Sequence, residues 1–180
     1  MKEKAQFITL PALLLLIFFL GKLVMSQAGA PYEAGIQYFS MVTLQTHLTL
    51  LWPAISRRYK GYGVWGAVQV GVMIALVSQV LILFGTGLSY VAGDTHFNNP
   101  IALNQPGPVG FLAAMGIRLV ALIVNCVIAA VTSIIGWFMG GLVPVRDGGD
   151  RIDRIDGWPL TQAWSGGQPK TESREHTPNG

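Results

Sequence analysis

The sequence predicts an all-α membrane protein with four transmembrane helices, both termini in the cytoplasm, an irregular outer loop and a partly disordered cytoplasmic tail. Three observations lead to this fold class. Hydrophobic residues make up 51% of the 180-residue chain and charged residues only 12%, which is outside the usual composition of soluble domains. Four apolar runs are long enough to cross a hydrocarbon core, which needs about 20 helical residues. The basic residues form short groups beside those runs, as expected for residues that orient a chain in a bilayer.

The first predicted span covers residues 7–26 and follows the basic residues Lys2 and Lys4. A cleaved signal peptide is the alternative, because residues 28–30 read Ala-Gly-Ala and resemble a cleavage site. We favour a retained helix, since the apolar segment is longer than a usual signal-peptide core and Lys22 precedes the candidate site. Either outcome leaves the rest of the topology unchanged.

The second predicted span covers residues 36–54 and precedes a short basic loop. Residues 56–62 contain three basic residues and no acidic one, so we expect this loop to face the cytoplasm. If four helices alternate, ten of the twelve Lys and Arg residues lie on the cytoplasmic side. The two that do not are Lys22 and Arg118.

The third and fourth predicted spans, residues 64–92 and 109–143, are longer than a straight crossing requires. We expect them to tilt, to kink or to extend beyond the bilayer. The segment between them, residues 93–108, is rich in turn-forming residues and predicts an ordered but irregular outer loop. Its Asp94 and His96 are too few for a metal site, and we expect them to be solvated in the loop.

The second span is the least apolar of the four, which indicates a position inside a helix bundle. At about 100° per residue, its side chains fall into three groups around the helix. The groups are Ser40, Thr43 and His47; Gln45, Thr46 and Thr49; and an expected lipid face of Met41, Leu44, Leu48 and Leu51.

His47 lies near the middle of the second span, where an ionisable side chain indicates function. Ligation of haem or chlorophyll, proton transfer and substrate contact are the functional interpretations. The interpretation that we prefer is a neutral imidazole that bonds to a neighbouring helix and stabilises packing. The chain has three histidines, and the other two lie outside the spans, so bis-histidine haem ligation would require a second subunit. We expect no bound cofactor.

Polar and small residues form a seam along the fourth span. Arg118, Asn125 and Thr132 are seven residues apart, which keeps them on one side of a helix with a drift of about 20° per step. Gly136 continues the seam and forms a small-residue series with Gly140, a pattern that allows close helix packing. Arg118 could contact an anion or line a pathway. We prefer the alternative that it marks the outer end of the span and extends to the interface.

The residues that are missing exclude several classes of function. All nine acidic residues lie outside the four predicted spans, so the sequence offers no embedded carboxylate for proton-coupled transport. We find no phosphate-binding glycine loop and no HExxH, GxSxG or CxxCH motif. The single cysteine, Cys126, excludes an internal disulfide. We therefore expect a protein that is not an enzyme.

The transmembrane domain, residues 1–143, is followed by a predicted cytoplasmic tail, residues 144–180. A repeat of Asp, Arg and Ile in residues 150–156 is followed by Trp158 and Trp164 in an otherwise polar segment. Tryptophan is favoured at membrane interfaces and at the centres of protein interfaces. We expect Trp158 and Trp164 to dock on the membrane surface or on a partner protein.

The leading hypothesis is a non-catalytic subunit or assembly factor of a larger complex in a bacterial inner membrane, of the respiratory, photosynthetic or secretion type. It depends on the polar and small-residue helix faces and on the absence of self-sufficient chemistry. Expected partners are lipid and other membrane subunits in a hetero-oligomer, without nucleic acid. The first alternative is a channel or transporter component lined by His47 and the stripe of Arg118, Asn125 and Thr132. The second is haem or chlorophyll ligation by His47.

Overall fold

The computed structural model of the protein describes residues 2–93 and 96–142. Within these ranges the regular structure is helical and contains no strand, so the predicted all-α class is confirmed. The elements, in chain order, are α1 (Lys2–Phe7), α2 (Thr9–Gln27), α3 (Tyr32–Phe39), α4 (Met41–Lys60), α5 (Val64–Ala92), a short 3-10 helix (Ile101–Leu103) and α6 (Phe111–Leu142).

Three helices are long and apolar enough to cross a membrane, namely α2, α5 and α6. They occupy the first, third and fourth of the predicted spans. The helix at the second position, α4, is 20 residues long, which is enough for a span. Its composition is more polar than that of the other three helices, and it is not among the candidate spans. Its first half contains Gln45 and His47, and its last turn carries Arg57, Arg58 and Lys60. The structure therefore supports a multi-pass membrane protein with three candidate membrane-spanning helices among the described residues.

The predicted second span differs from the structure at both ends. Its beginning falls inside α3, and the chain then leaves the helix at Ser40, whose backbone is extended (φ −74°, ψ 102°). The Ser40 hydroxyl accepts a hydrogen bond from the Thr43 N–H at 3.4 Å and so caps α4. The far end of α4 extends to Lys60, because cations are favoured in the last turn of a helix. Gly61 then ends α4 in the left-handed conformation, with φ 64°.

The helices α4, α5 and α6 all pack against one another and form the three-helix core of the protein. Hydrogen bonds that involve side chains join them. Gln79 on α5 donates to the Gln45 Oε1 at 2.9 Å. The hydroxyls of Thr49 and Thr132 form a hydrogen bond of 3.0 Å. The Ser133 hydroxyl donates to the backbone carbonyl of Thr49 at 3.2 Å. Such bonds stabilise helix association where the surroundings are apolar.

The backbones of α4 and α6 approach closely at two glycines of the seam. The backbone of Leu50 lies directly against Gly136, so that even a methyl group there would overlap it. A methyl group at Gly140 would lie 2.5 Å from the Ala54 carbonyl oxygen. Gly136 and Gly140 therefore allow a helix contact that no larger residue would permit.

The predicted lipid face of α4 is wrong. Met41 and Leu48 are buried, with 3% and 4% of their surface exposed. Leu44 is half-buried, and only Leu51 is exposed. The reason is the inward position of Gln45, because residues four before and three after it share its side of a helix. Met41 and Leu48 therefore follow Gln45 into the core, where they pack against α2 and α5.

Aromatic and basic side chains tie the helices together at the end of the bundle that carries Arg57. Trp52 donates to the Phe7 carbonyl at 2.8 Å, and Trp137 donates to the Tyr62 carbonyl at 2.8 Å. Arg57 donates to the Trp137 carbonyl at 3.0 Å, and its guanidinium carbon lies 3.7 Å from the centre of the Trp137 ring. These contacts connect α1, α4, α6 and the turn after α4.

The loop between α5 and α6 packs into the bundle. His96 is fully buried, and its Nε2 donates to the Ala30 carbonyl at 2.9 Å. Phe97 and Leu103 are each 1% exposed. The expectation that His96 is solvated is therefore wrong, because a backbone carbonyl from the turn after α2 satisfies its ring nitrogen. Asp94 lies outside the described residues.

Candidate functional site

An exposed group of polar side chains on α4, which we call the α4 polar face, comprises Thr43, Thr46 and His47. All three side chains are exposed. Gln45 belongs to the same stretch of α4 and bonds to Gln79, near the middle of the 29-residue α5. The α4 polar face is therefore level with the middle of an apolar helix that is long enough to cross a membrane.

Most polar groups of this face have a partner within the chain. Thr46 donates to the Val42 carbonyl at 2.9 Å, and the hydroxyls of Thr43 and Ser40 are 2.8 Å apart. The His47 Nδ1 lies 2.7 Å from the Thr43 carbonyl oxygen. Because a carbonyl oxygen only accepts hydrogen bonds, Nδ1 must carry the hydrogen. In the neutral ring, Nε2 is then the nitrogen with the free lone pair.

The His47 Nε2 can accept a hydrogen bond or bind a metal. It has no hydrogen-bond partner among residues 2–93 and 96–142. A histidine that binds a metal usually donates its other ring N–H to a carbonyl or a carboxylate, as His47 does to Thr43. No group of three or more His, Cys, Asp or Glu side chains comes together in the described part of the chain. His47 could thus supply one axial ligand to a macrocycle.

Among the described residues, the His47 ring makes no bond to a neighbouring helix, so its packing role stays a prediction that requires a helix of another subunit. The ring bonds to its own helix, and the side chain is exposed. Ser40, which the helical pattern groups with Thr43 and His47, lies at the break before α4.

The seam on α6 is divided among separate contacts. The amide of Asn125 donates to the Ala121 carbonyl of its own helix at 2.8 Å. Thr132 bonds to Thr49 on α4 at 3.0 Å. Arg118 turns toward α5 and the loop after it. The three seam residues therefore serve three different contacts.

Arg118 is half-buried and reaches toward the loop after α5, and its position at the membrane interface stays a prediction. Its Nε donates to the Thr86 hydroxyl at 3.2 Å, and its Nη2 donates to the Phe97 carbonyl at 2.9 Å. Both acceptors are neutral. Guanidinium has five N–H groups in a planar fork, so these two bonds leave donors for another partner.

Beside Arg118 lies a cavity of about 160 Å³, which we call the Arg118 cavity. It lies between the end of α2, the junction of α3 with α4, α5, α6 and the loop after α5. Its polar side is formed by Arg118, Lys22, Tyr32 and Ser40. Its apolar side is formed by Ile36, Met41, Val42, Ile82, Phe97 and Ala102.

No protein-family model, curated protein or solved structure matches the chain. The α4 polar face and the Arg118 cavity therefore carry the functional inference.

Tyr32 is a neutral hydrogen-bonding group of the Arg118 cavity. Burial raises the pKa of its phenol, and the positive charge of Arg118 lowers it by a smaller amount. The net effect is a raised pKa, so the phenol is protonated at neutral pH and can donate a hydrogen bond.

Sequence reasoning missed several residues of these two sites. Gln79 and Thr86 are polar positions inside the long apolar run of α5, and they are seven residues apart. That spacing was the available signal for a polar seam on α5. The position of Lys22 outside the basic groups was the signal that this residue is unusual. No feature of the sequence indicated a role for Tyr32. Trp158 and Trp164, the expected docking residues, lie outside the described residues.

Proposed function

We propose that the protein is a non-catalytic subunit or assembly factor of a larger membrane complex, and that a partner helix docks on the α4 polar face. The observation that carries this proposal is the exposed His47 Nε2 beside Thr43 and Thr46. A bacterial inner membrane and a complex of the respiratory, photosynthetic or secretion type are the setting that we propose.

In this proposal α4 is a fourth span. Its 20 residues extend over about 30 Å, which equals the thickness of the hydrocarbon core. Bonds from Gln45 and Thr49 hold it level with α5 and α6. Arg57, Arg58 and Lys60 at its end favour a cytoplasmic position for that end, and hence cytoplasmic termini.

The exposed surfaces of α4 and α6 differ in a way that favours a partner at α4. The exposed large side chains of α6 are apolar and mostly aliphatic, for example Val120, Ile123 and Val127, which are 62%, 64% and 60% exposed. Such an apolar surface is suited to contact with the acyl chains of lipids. The α4 polar face instead presents an imidazole lone pair, and a donor from another helix would contribute about 0.6 to 2 kcal/mol by bonding to it.

Co-purification of matched variants tests the docking proposal. Thr46→Trp places a large side chain on the α4 polar face, and Val124→Trp places the same side chain on the aliphatic face of α6. After solubilisation in a mild detergent, we expect the wild type and Val124→Trp to migrate in native gels as part of a larger assembly. Thr46→Trp should be released from it.

Site-specific cross-linking gives a second readout. In a Cys126→Ser background, a cysteine at Thr46 should form a cross-link with a second protein, whereas a cysteine at Val124 should not. Mass spectrometry of the cross-linked band identifies the partner. A wild-type protein that migrates alone as a monomer would refute the proposal.

Ligation of haem or chlorophyll by His47 is the second candidate, and the 2.7 Å contact between Nδ1 and the Thr43 carbonyl favours it. The complex isolated from its native membrane should then show a Soret band that is lost in His47→Ala. A spectrum without porphyrin bands would remove this candidate. A channel or transporter component has less support. Asn125 bonds within α6 and Thr132 bonds to Thr49 on α4, and neither lines the Arg118 cavity.

A further inference from the structure

The two cations outside the basic groups of the sequence come together in the structure. Lys22 near the end of α2 and Arg118 on α6 both line the Arg118 cavity. The remaining cations lie near the Arg57 end of the bundle or outside the described residues. Positive charge on the opposite side of a membrane works against the orientation that the other cations favour. A half-buried guanidinium also requires compensation for its lost hydration.

The partners of Arg118 within the chain do not supply a negative charge. Its two bonds go to the hydroxyl of Thr86 and to the carbonyl of Phe97, and no carboxylate of the described residues accepts a bond from it. No acidic residue is among the described residues that line the cavity. Three N–H groups of Arg118 remain for a ligand, and the fork geometry matches two oxygens of a phosphate or a carboxylate.

The beginning of α4 adds a third positive element. Met41 and Val42, the first two residues of this 20-residue helix, line the cavity. The first N–H groups of a helix have no acceptor within it, and its dipole places partial positive charge at that end. The Ser40 hydroxyl caps the Thr43 N–H, which leaves the N–H groups of Met41 and Val42 for another acceptor. Anions, and phosphate groups above all, bind at such helix ends.

The size and the lining of the cavity narrow the class of ligand. About 160 Å³ is roughly ten times the volume that one water molecule requires. Tyr32 offers a neutral donor, while Ile36 and Ile82 form part of an apolar wall. A charged group with a short organic part suits this combination better than a bare inorganic ion.

We propose that the Arg118 cavity binds a phosphate ester through Arg118 and the N-terminus of α4. The ester is either the headgroup of an anionic phospholipid or a soluble organic phosphate. This inference does not rest on the docking of a partner, although the beginning of α4 adjoins the α4 polar face at Thr43.

Binding to the purified full-length protein in detergent tests the proposal. The lipid probe is short-chain phosphatidylglycerol, with phosphatidylcholine of the same chain length as the zwitterionic comparison, and the soluble probe is glycerol 3-phosphate. We expect the wild type to bind phosphatidylglycerol at least about tenfold more tightly than phosphatidylcholine, as measured by native mass spectrometry. If glycerol 3-phosphate binds and displaces the lipid, the ligand is a soluble phosphate; if it does not, the ligand is a lipid.

Two variants and a control locate the binding. Arg118→Gln should lower the affinity for the anionic probe about tenfold or more, because it removes a charged donor. Val42→Trp should block the cavity without changing its charge, and it keeps the test valid if Arg118→Gln fails to fold. Arg58→Gln removes one charge near the other end of α4 and should bind like the wild type. Equal binding of both lipids together with no binding of glycerol 3-phosphate, or unchanged binding in a folded Val42→Trp protein, would overturn the proposal.

Discussion

The bond between Gln45 and Gln79 predicts a strong coupling between two distant positions of the chain. Both side chains are 2% exposed, and the amide of Gln79 donates to the Gln45 Oε1 at 2.9 Å. In Gln79→Leu the acceptor on Gln45 loses its donor, and a buried polar group without a partner costs about 1 to 3 kcal/mol. Measured couplings in membrane proteins are smaller, about 0.6 kcal/mol on average and up to about 1.7 kcal/mol.

We therefore expect Gln45→Leu and Gln79→Leu each to lower the free energy of unfolding by about 1 kcal/mol. The double variant replaces the pair with two apolar side chains of similar size and should lie within about 0.5 kcal/mol of the wild type. The coupling energy from the double-mutant cycle is then about 1.5 to 2.5 kcal/mol, at or above the upper end of the couplings measured in membrane proteins. Reversible unfolding in mixed micelles of dodecyl maltoside and dodecyl sulfate, followed by circular dichroism, measures all four proteins.

A control cycle pairs Gln45→Leu with Asn125→Leu. The Asn125 amide bonds to the Ala121 carbonyl within α6, so the effects of these two substitutions should add. If the Gln45 and Gln79 substitutions also add, with a coupling below about 0.3 kcal/mol, the two amides do not bond across the helices. The account of how α4 is oriented would then be refuted.

Two further predictions concern the packing of α4 on α6. Gly136→Ala should destabilise the protein by about 1 to 3 kcal/mol, because the added methyl group overlaps the α4 backbone. Gly116 has open space around it, so the control Gly116→Ala should stabilise the helix by up to about 1 kcal/mol. Equal melting temperatures of the two variants would contradict the close contact. Arg57→Ala should lower the free energy of unfolding by about 1 to 2 kcal/mol because it removes the stacking on Trp137 and a hydrogen bond, and Arg58→Ala should have a smaller effect. The same unfolding assay compares the two arginine variants, and an equal loss in both would show that the Trp137 contact adds no stability.

The helical class and the positions of the long helices follow from the length of the apolar runs. The predicted run of residues 64–92 and α5 cover the same residues. Small residues such as Gly136 also indicated where a close helix contact could occur. These features are local, because each depends on one stretch of sequence.

The orientation of α4 could not be predicted because it depends on a distant residue. The pattern of α4 contains two polar groups, one with His47 and one with Gln45, and either could have faced the core. The choice follows from Gln79, which lies on another helix and bonds to Gln45. Arg118 is a similar case, since its acceptors on Thr86 and Phe97 come from α5 and the following loop.

The polarity of α4 has a consequence for the biosynthesis of the protein. A helix with Gln45 and His47 in its first half and three cations in its last turn partitions poorly into lipid alone. The side chains that bond to its core-facing side, such as Gln79 and Thr132, lie on α5 and α6. The ribosome synthesises these two helices after α4. We therefore expect α4 to remain at the insertion machinery until α5 and α6 have emerged, so that the three helices enter the bilayer together.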